Sequence, residues 1–259
     1  MTGRGAGSTV SRRRAVFVAG GSAIAGLTIG SGVARAVDGY DDDNRPPSYR
    51  ISPPSPRSGV FDTQIVWRTA GPSVALTFDD GPDPRWTPRI LDILAAADAR
   101  ATFFVLRDHV LAHPELVRRA ADAGHEIGVH GADHWDMTRL TSAQLDRSMA
   151  DTKRAVADLV GREPVLMRPP YGRFDAPVLH AARSHGLQLI LWSDWLPGRN
   201  SASASAALLA QLTPGAVILC HDGRRTPSEQ MVSALRTFVP SCVAKGLRLA
   251  TVSELLAER

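Results

Sequence analysis

The sequence predicts an α/β fold. Its parallel sheet of seven strands would close into a TIM-like (β/α) barrel, an open doubly wound sheet being the structural alternative. Two observations carry this. From residue 74 onward, seven short apolar runs alternate with helical stretches. Asp79-Asp80, His130 with His134, Arg168, Asp194, and His221-Asp222 each follow directly on one of those runs. Parallel α/β folds gather active sites at the C-terminal ends of their strands.

Val74–Phe78, rich in β-branched and aromatic residues, reads as the first strand. Thr87-Pro88 then offers an N-cap with Pro at N1, and Ile90, Leu91 and Leu94 share one helix face. Thr102–Val105 is the second strand. Pro114-Glu115 opens a helix that Gly124 closes, and Glu126–His130 is the third strand. Thr141 caps a helix whose apolar face holds Leu145, Met149, Val156 and Leu159, before the fourth strand, Val165–Arg168. A helix ending at Gly186 leads to the fifth, Leu187–Trp192, and a helix over 203–212 leads to the sixth, Ala216–Cys220. The stretch 228–245 is helical, with Pro240 expected to kink or split it. Arg248–Val252 is the seventh strand, followed by a helical turn from Ser253, and no internal repeat is evident.

The organisation is an export signal over 1–36, a Pro-rich linker over 37–64, and one catalytic domain over 65–259. Arg12-Arg13-Arg14 precede a Gly/Ala-rich apolar run that ends in Ala34-Arg35-Ala36, the form of a cleavage site. Paired arginines before a mildly apolar segment suit twin-arginine export, which carries folded proteins. A secreted or cell-wall location follows, and no stable membrane span is expected. The net charge of +4 is set by this segment, since without its five arginines the rest holds 25 Lys+Arg against 26 Asp+Glu. No basic stripe argues for nucleic acid, and a monomer is expected. Cys220 and Cys242 are too few for a disulfide framework. Strand and helix spacing leaves them either one disulfide or two buried thiols.

Adjacent residues at a strand end diverge, so Asp79 and Asp80 can hold different jobs, one on a metal and one accepting a proton. His130 and His134, four apart, share a face if they lie on a helical turn, and with Asp80 they make a two-His, one-carboxylate set that suits Zn²⁺ or a similar ion. Arg168 can pair with a carboxylate and keep it ionised. Pro169, Pro170 and Gly172 fix a loop that can aim the Tyr171 N–H at the site. Trp195 and Leu219 can wall a small apolar pocket. Asp194 can hydrogen-bond His221 and hold it protonated as an acid.

The segments TFDDGP (77–82), HGADH (130–134), RPPYG (168–172), DW (194–195) and LCH (219–221), in this order, resemble the five motifs of the NodB-homology polysaccharide deacetylases, carbohydrate esterase family 4. The resemblance runs from about residue 70 to 255. It implies a distorted (β/α)7 barrel and a divalent metal, usually zinc, sometimes cobalt or another ion. By position Asp79 matches the catalytic base, and Asp80, His130 and His134 match the metal ligands. Arg168 matches the base's partner, Tyr171 a backbone oxyanion donor, Asp194 the residue orienting the acid His221, and Trp195 and Leu219 the acetyl pocket. Two features depart from the pattern. Gly131 stands where the family has a Ser or Thr that braces the metal loop, which implies a looser loop here. The segment before Asp194-Trp195 is also shortened.

The implied activity is metal-dependent removal of acetyl groups from N-acetylglucosamine-type sugars of peptidoglycan or chitin oligomers. The alternatives are an acetylxylan or other O-acetyl esterase on the same site, or a carbohydrate-binding pseudo-enzyme.

Overall fold

The structure is a computed structural model that describes residues 64–258. The export signal and nearly all of the linker lie outside the described residues. Nine short strands form one sheet: β1 (Ile65–Val66), β2 (Val74–Asp79), β3 (Thr102–Val105), β4 (Glu126–Val129), β5 (Leu166–Met167), β6 (Gln188–Ile190), β7 (Asp194–Trp195), β8 (Val217–His221) and β9 (Leu249–Ala250). Every pairing between these strands is parallel. The order is β1-β6-β5-β4-β3-β2-β8-β7, with β9 added to β2.

The seven expected strands are all present, and two short ones are new. β1 is a two-residue pairing too brief to show periodicity. β7 arises because the expected fifth strand stops at Ile190. The chain crosses in three residues, Leu191 to Ser193, from one end of the sheet order to the other. The Leu191 N–H still reaches Val66 O at 2.6 Å, while the Ser193 N–H reaches Val217 O at 2.9 Å. On the facing side Arg68 bridges Ala216. These crossings curl the sheet into the predicted barrel, closed by irregular chain and not by a regular ladder.

Period-two alternation sorts the side chains. Leu76, Phe78, Phe103, Ile218 and Cys220 face the outer helices, whereas Ala75, Phe104, Val217 and Leu219 fill the barrel. Phe78 stacks on Phe103 with ring centroids 5.0 Å apart. Around the sheet run α1 (Thr87–Ala96), α2 (Arg107–Ala112), α3 (Pro114–Asp122), α4 (Ser142–Val160), α5 (Ala176–Ser184), α6 (Ser201–Gln211), α7 (Glu229–Ala244) and α8 (Val252–Ala257). α4 carries the capping box Thr141/Gln144 and ends at left-handed Gly161.

Two local expectations are corrected and one open alternative is decided. Pro240 does not split α7, which continues to Ala244, because its buried face, including Leu235, Phe238, Val239 and Cys242, is held against the core on both sides of the proline. Thr87 is the first residue of α1 and not its cap. Its hydroxyl accepts from the Asp83 N–H at 2.8 Å and donates to Asp222 Oδ2 at 2.6 Å. Cys220 and Cys242 are two buried free thiols and form no disulfide. Burial holds both above the usual thiol range, Cys242 at about 12. No described helix is long and apolar enough to cross a membrane.

Candidate metal and acid–base site

β2 ends at Asp79, which keeps the inward direction of Ala75 and Thr77 and is 3% exposed. Asp80 then takes φ 76°, a left-handed conformation that turns its carboxylate off the strand line. The two acids therefore diverge, as expected. Asp79 Oδ1 accepts from Arg168 Nη1 at 2.7 Å. Asp80 Oδ1 lies 3.4 Å from His130 Nε2 and 3.3 Å from His134 Nε2.

His130 follows β4, and its Nδ1 lies 2.7 Å from Arg168 O. That contact aims Nε2 at the site, the usual way a ligating imidazole is oriented. His134 reaches the same place without the expected helical turn. The 131–134 segment is irregular, with Gly131 at φ 99°. Only this reversal folds the second imidazole back over the first, the rings being 5.2 Å apart. A side chain at 131 would be strained at that φ and would displace Met137 Cε, 2.8 Å from a Cβ there, so the loop as folded favours glycine. The loop is not left loose. The buried Ser148 hydroxyl of α4 accepts the Ala132 N–H at 2.9 Å, the Arg107 and Asp108 N–H groups donate to the carbonyls of Gly131 and Ala132, and Tyr171 packs edge-on against His134 at 4.4 Å.

One ligand atom each from Asp80, His130 and His134 lie within 4.8 Å of one another. Asp80 Oδ1 is buried with no hydrogen-bond partner. Burial pushes the Asp80 carboxyl up, but the imidazoles of His130, His221 and His134 outweigh this and hold it well below the carboxylate range. Burial lowers His134 to about 3, leaving the neutral form that binds metals. An ionised carboxylate and two inward imidazoles fit a divalent cation.

Arg168 is fully buried at the end of β5. Besides Asp79 it donates from Nη1 to Thr77 Oγ1 at 2.8 Å, from Nη2 to Leu191 O at 2.9 Å and from Nε to Ile190 O at 3.3 Å. Its guanidinium lies 4.3 Å over Phe104. Tyr171 sits in a 3-10 turn over Pro170–Gly172 with φ 61°, and its hydroxyl donates to His134 O at 3.3 Å.

His221 ends β8 beside Asp79, its register partner on β2. Burial lowers its pKa against the pull of Asp80 and Asp79. Asp194 is not its partner. The β7–β8 register sets Asp194 against Ile218, three residues back along the strand, or roughly 10 Å at about 3.3 Å per residue. Asp194 instead accepts the Ser193 hydroxyl at 2.8 Å and lies 3.9 Å from Arg68, and His221 Nδ1 is buried without a hydrogen bond. Trp195 does pair with Leu219 in that register, two residues below His221.

Several residues here carried no sequence signal. Ser148 and His109, whose Nδ1 lies 2.8 Å from Asp80 O, look like ordinary helix positions. Arg224 lies in an irregular loop, with Nη1 3.8 Å from Asp80 Oδ2. Asp222, next to His221, is buried, and burial with the charges of Asp80 and Asp79 raises it to about 8 despite the Thr87 hydrogen bond.

A polysaccharide deacetylase family profile matches residues 68–190. Among curated relatives, the peptidoglycan-N-acetylglucosamine deacetylase PgdA of Listeria monocytogenes is 37% identical over 190 residues, 72% of this chain and 39% of that protein, so the chain spans well under half of that relative's length. A chitooligosaccharide deacetylase of Rhizobium leguminosarum bv. trifolii is 39% identical over 190 residues, 71% of this chain and 83% of that one. The crystal structure of the Bc1960 peptidoglycan N-acetylglucosamine deacetylase superposes with a TM-score of 0.69 at 32% identity, covering 74% of this chain and 91% of that one. A pseudoenzyme of carbohydrate esterase family 4 from Bacillus anthracis shares the fold at 24% identity and TM-score 0.69, so architecture alone does not decide activity. With this likeness in sequence and fold, the chain belongs to the NodB-homology polysaccharide deacetylases, carbohydrate esterase family 4.

Proposed function

We propose that this protein is an exported, metal-dependent deacetylase that hydrolyses the N-acetyl groups of N-acetylglucosamine-type sugars, releasing acetate and a free amino sugar. The observation that carries this is the pairing of Asp79 with buried Arg168 directly beside the cluster of Asp80, His130 and His134. Asp80, His130 and His134 would hold a zinc or similar divalent ion, which would supply Lewis acidity toward the acetamide oxygen and lower the pKa of water from 15.7 toward about 7.

The chain's own groups do the rest. Asp79, held by Arg168, takes a proton from the attacking water. The Tyr171 N–H donates to the developing oxyanion, a kind of contact typically worth about 3–4 kcal/mol when lost. His221 gives a proton to the departing nitrogen as the C–N bond breaks. Burial disfavours its charged form, and the carboxylates of Asp79 and Asp80 favour it. Trp195 and Leu219 receive the acetyl methyl. Arg12-Arg13-Arg14 and the apolar run behind them support export, and the relatives' peptidoglycan and chitooligosaccharide substrates are compatible with it.

The test measures acetate and primary amine from chitin oligomers, peptidoglycan and acetylxylan with the same metal. Amine formation from an acetamido substrate is expected. Turnover of acetylxylan alone would leave the esterase reading, and no turnover of any would leave the pseudo-enzyme.

A further inference from the structure

The domain's charge is nearly balanced, but its arginines are unevenly placed. Arg199 follows β7, Arg224 and Arg225 follow β8, and all three are exposed. Both loops leave C-terminal strand ends, on the face that holds Asp79 and Asp80. They are also locked together. A Cβ on Gly198 would lie 1.9 Å from Thr226 O, the Ser228 hydroxyl donates to Gly198 O, and the Asn200 N–H donates to Gln230 Oε1 at 3.1 Å. A second lock ties the β8 loop to the site itself. The Asp222 N–H donates to Asp79 O at 3.0 Å, and Gly223 is so close to Asp80 that a Cβ there would lie 2.1 Å from its carbonyl oxygen. The arginines thus stand on a fixed rim.

Little negative charge on the adjoining elements offsets them. Glu229, at the start of α7, is clamped by Arg89 at 2.7 Å and Arg85 at 3.4 Å. Asp83 turns Oδ1 to the Arg85 N–H at 2.8 Å. Arg199 and Arg225 form no ion pair among the described residues. Arg224 faces Asp80, whose charge a bound cation would share.

A neutral chitin-type chain gives such a rim nothing to pair with. A glycan bearing carboxylates, on its sugars or on peptides linked to them, does, and the guanidinium fork matches carboxylate geometry. We propose that the rim of Arg199, Arg224 and Arg225 selects a carboxylate-bearing glycan, which makes the acidic peptidoglycan strand and not neutral chitin the preferred polymer. This rests on the deacetylase reading above.

The experiment compares kcat/KM for acetate release by the full chain, metal supplied, on chitin oligomers and on peptidoglycan glycan strands of matched length. R199A/R225A, which spares every residue assigned a chemical role, should lose roughly tenfold on the acidic strands at low salt. It should keep its chitin rate. The difference should vanish near 1 M salt, where the Debye length is about 3 Å. R199K/R225K should retain most of the preference, and strands with reduced carboxyl groups should behave like chitin. Equal losses on both substrates, or no loss on the acidic one, would overturn the selection. If the unaltered protein released acetate from neither, the deacetylase reading itself would fall.

Discussion

Arg168→Met tests whether the site depends on one buried ion pair. The substitution keeps length and apolar bulk but removes every donor. It strips a bond from Thr77 Oγ1, from the Ile190 and Leu191 carbonyls and from Asp79 Oδ1. The neutral acceptors account for about 1 kcal/mol each. Thr77 loses least, since its hydroxyl still donates to Ile218 O at 2.7 Å. The larger effect is the Asp79 carboxylate, 3% exposed and left without its counter-charge. Removing one partner of a buried pair costs about 3–5 kcal/mol. For a domain of this size that lowers Tm by roughly 6–20 °C, at about 2–4 °C per kcal/mol. Urea unfolding with chelator present reads the loss without contribution from metal. Adding Asp79→Asn removes the stranded charge, and the cycle should show a coupling of about 2 kcal/mol. A loss under about 1 kcal/mol, or strict additivity, would refute the reasoning.

Three further outcomes are expected. His134→Ala should lose divalent-ion binding by calorimetry together with activity, and chelation should abolish an activity that added Zn²⁺ or Co²⁺ restores; full activity after exhaustive chelation would rule out a metal-assisted reaction. Asp194→Asn should leave the basic limb of the pH–rate profile in place, because register holds Asp194 against Ile218; a displaced limb would mean that the acid's partner is Asp194 after all. Burial with the charges of Asp80 and Asp79 raises the folded-state pKa of Asp222 from the usual 3.8 to about 8, so the native metal-free protein holds an extra proton between those values. Its stability should fall as pH rises through that window and level off above it, a slope that Asp222→Asn should lack in chelated unfolding experiments.

The sequence by itself determined a good deal. Alternating apolar runs and helical faces specified a parallel α/β barrel, because those periods record which side of each element is buried. The rule that chemistry gathers at strand C-termini brought Asp79, Asp80, His130, His134, Arg168 and His221 to one mouth, and the structure joins all six there. Three things were decided only by tertiary structure. The β7–β8 register separates Asp194 from His221, and no local pattern encodes register between strands joined over 20 residues apart. The 131–134 loop is braced by Ser148 from a distant helix and not by a hydroxyl inside the loop. The arginine rim exists because two loops interlock through Gly198 and Gly223, while the domain's nearly balanced charge conceals it. Local periodicity reports burial, but register, loop bracing and charge clustering depend on which distant segments meet.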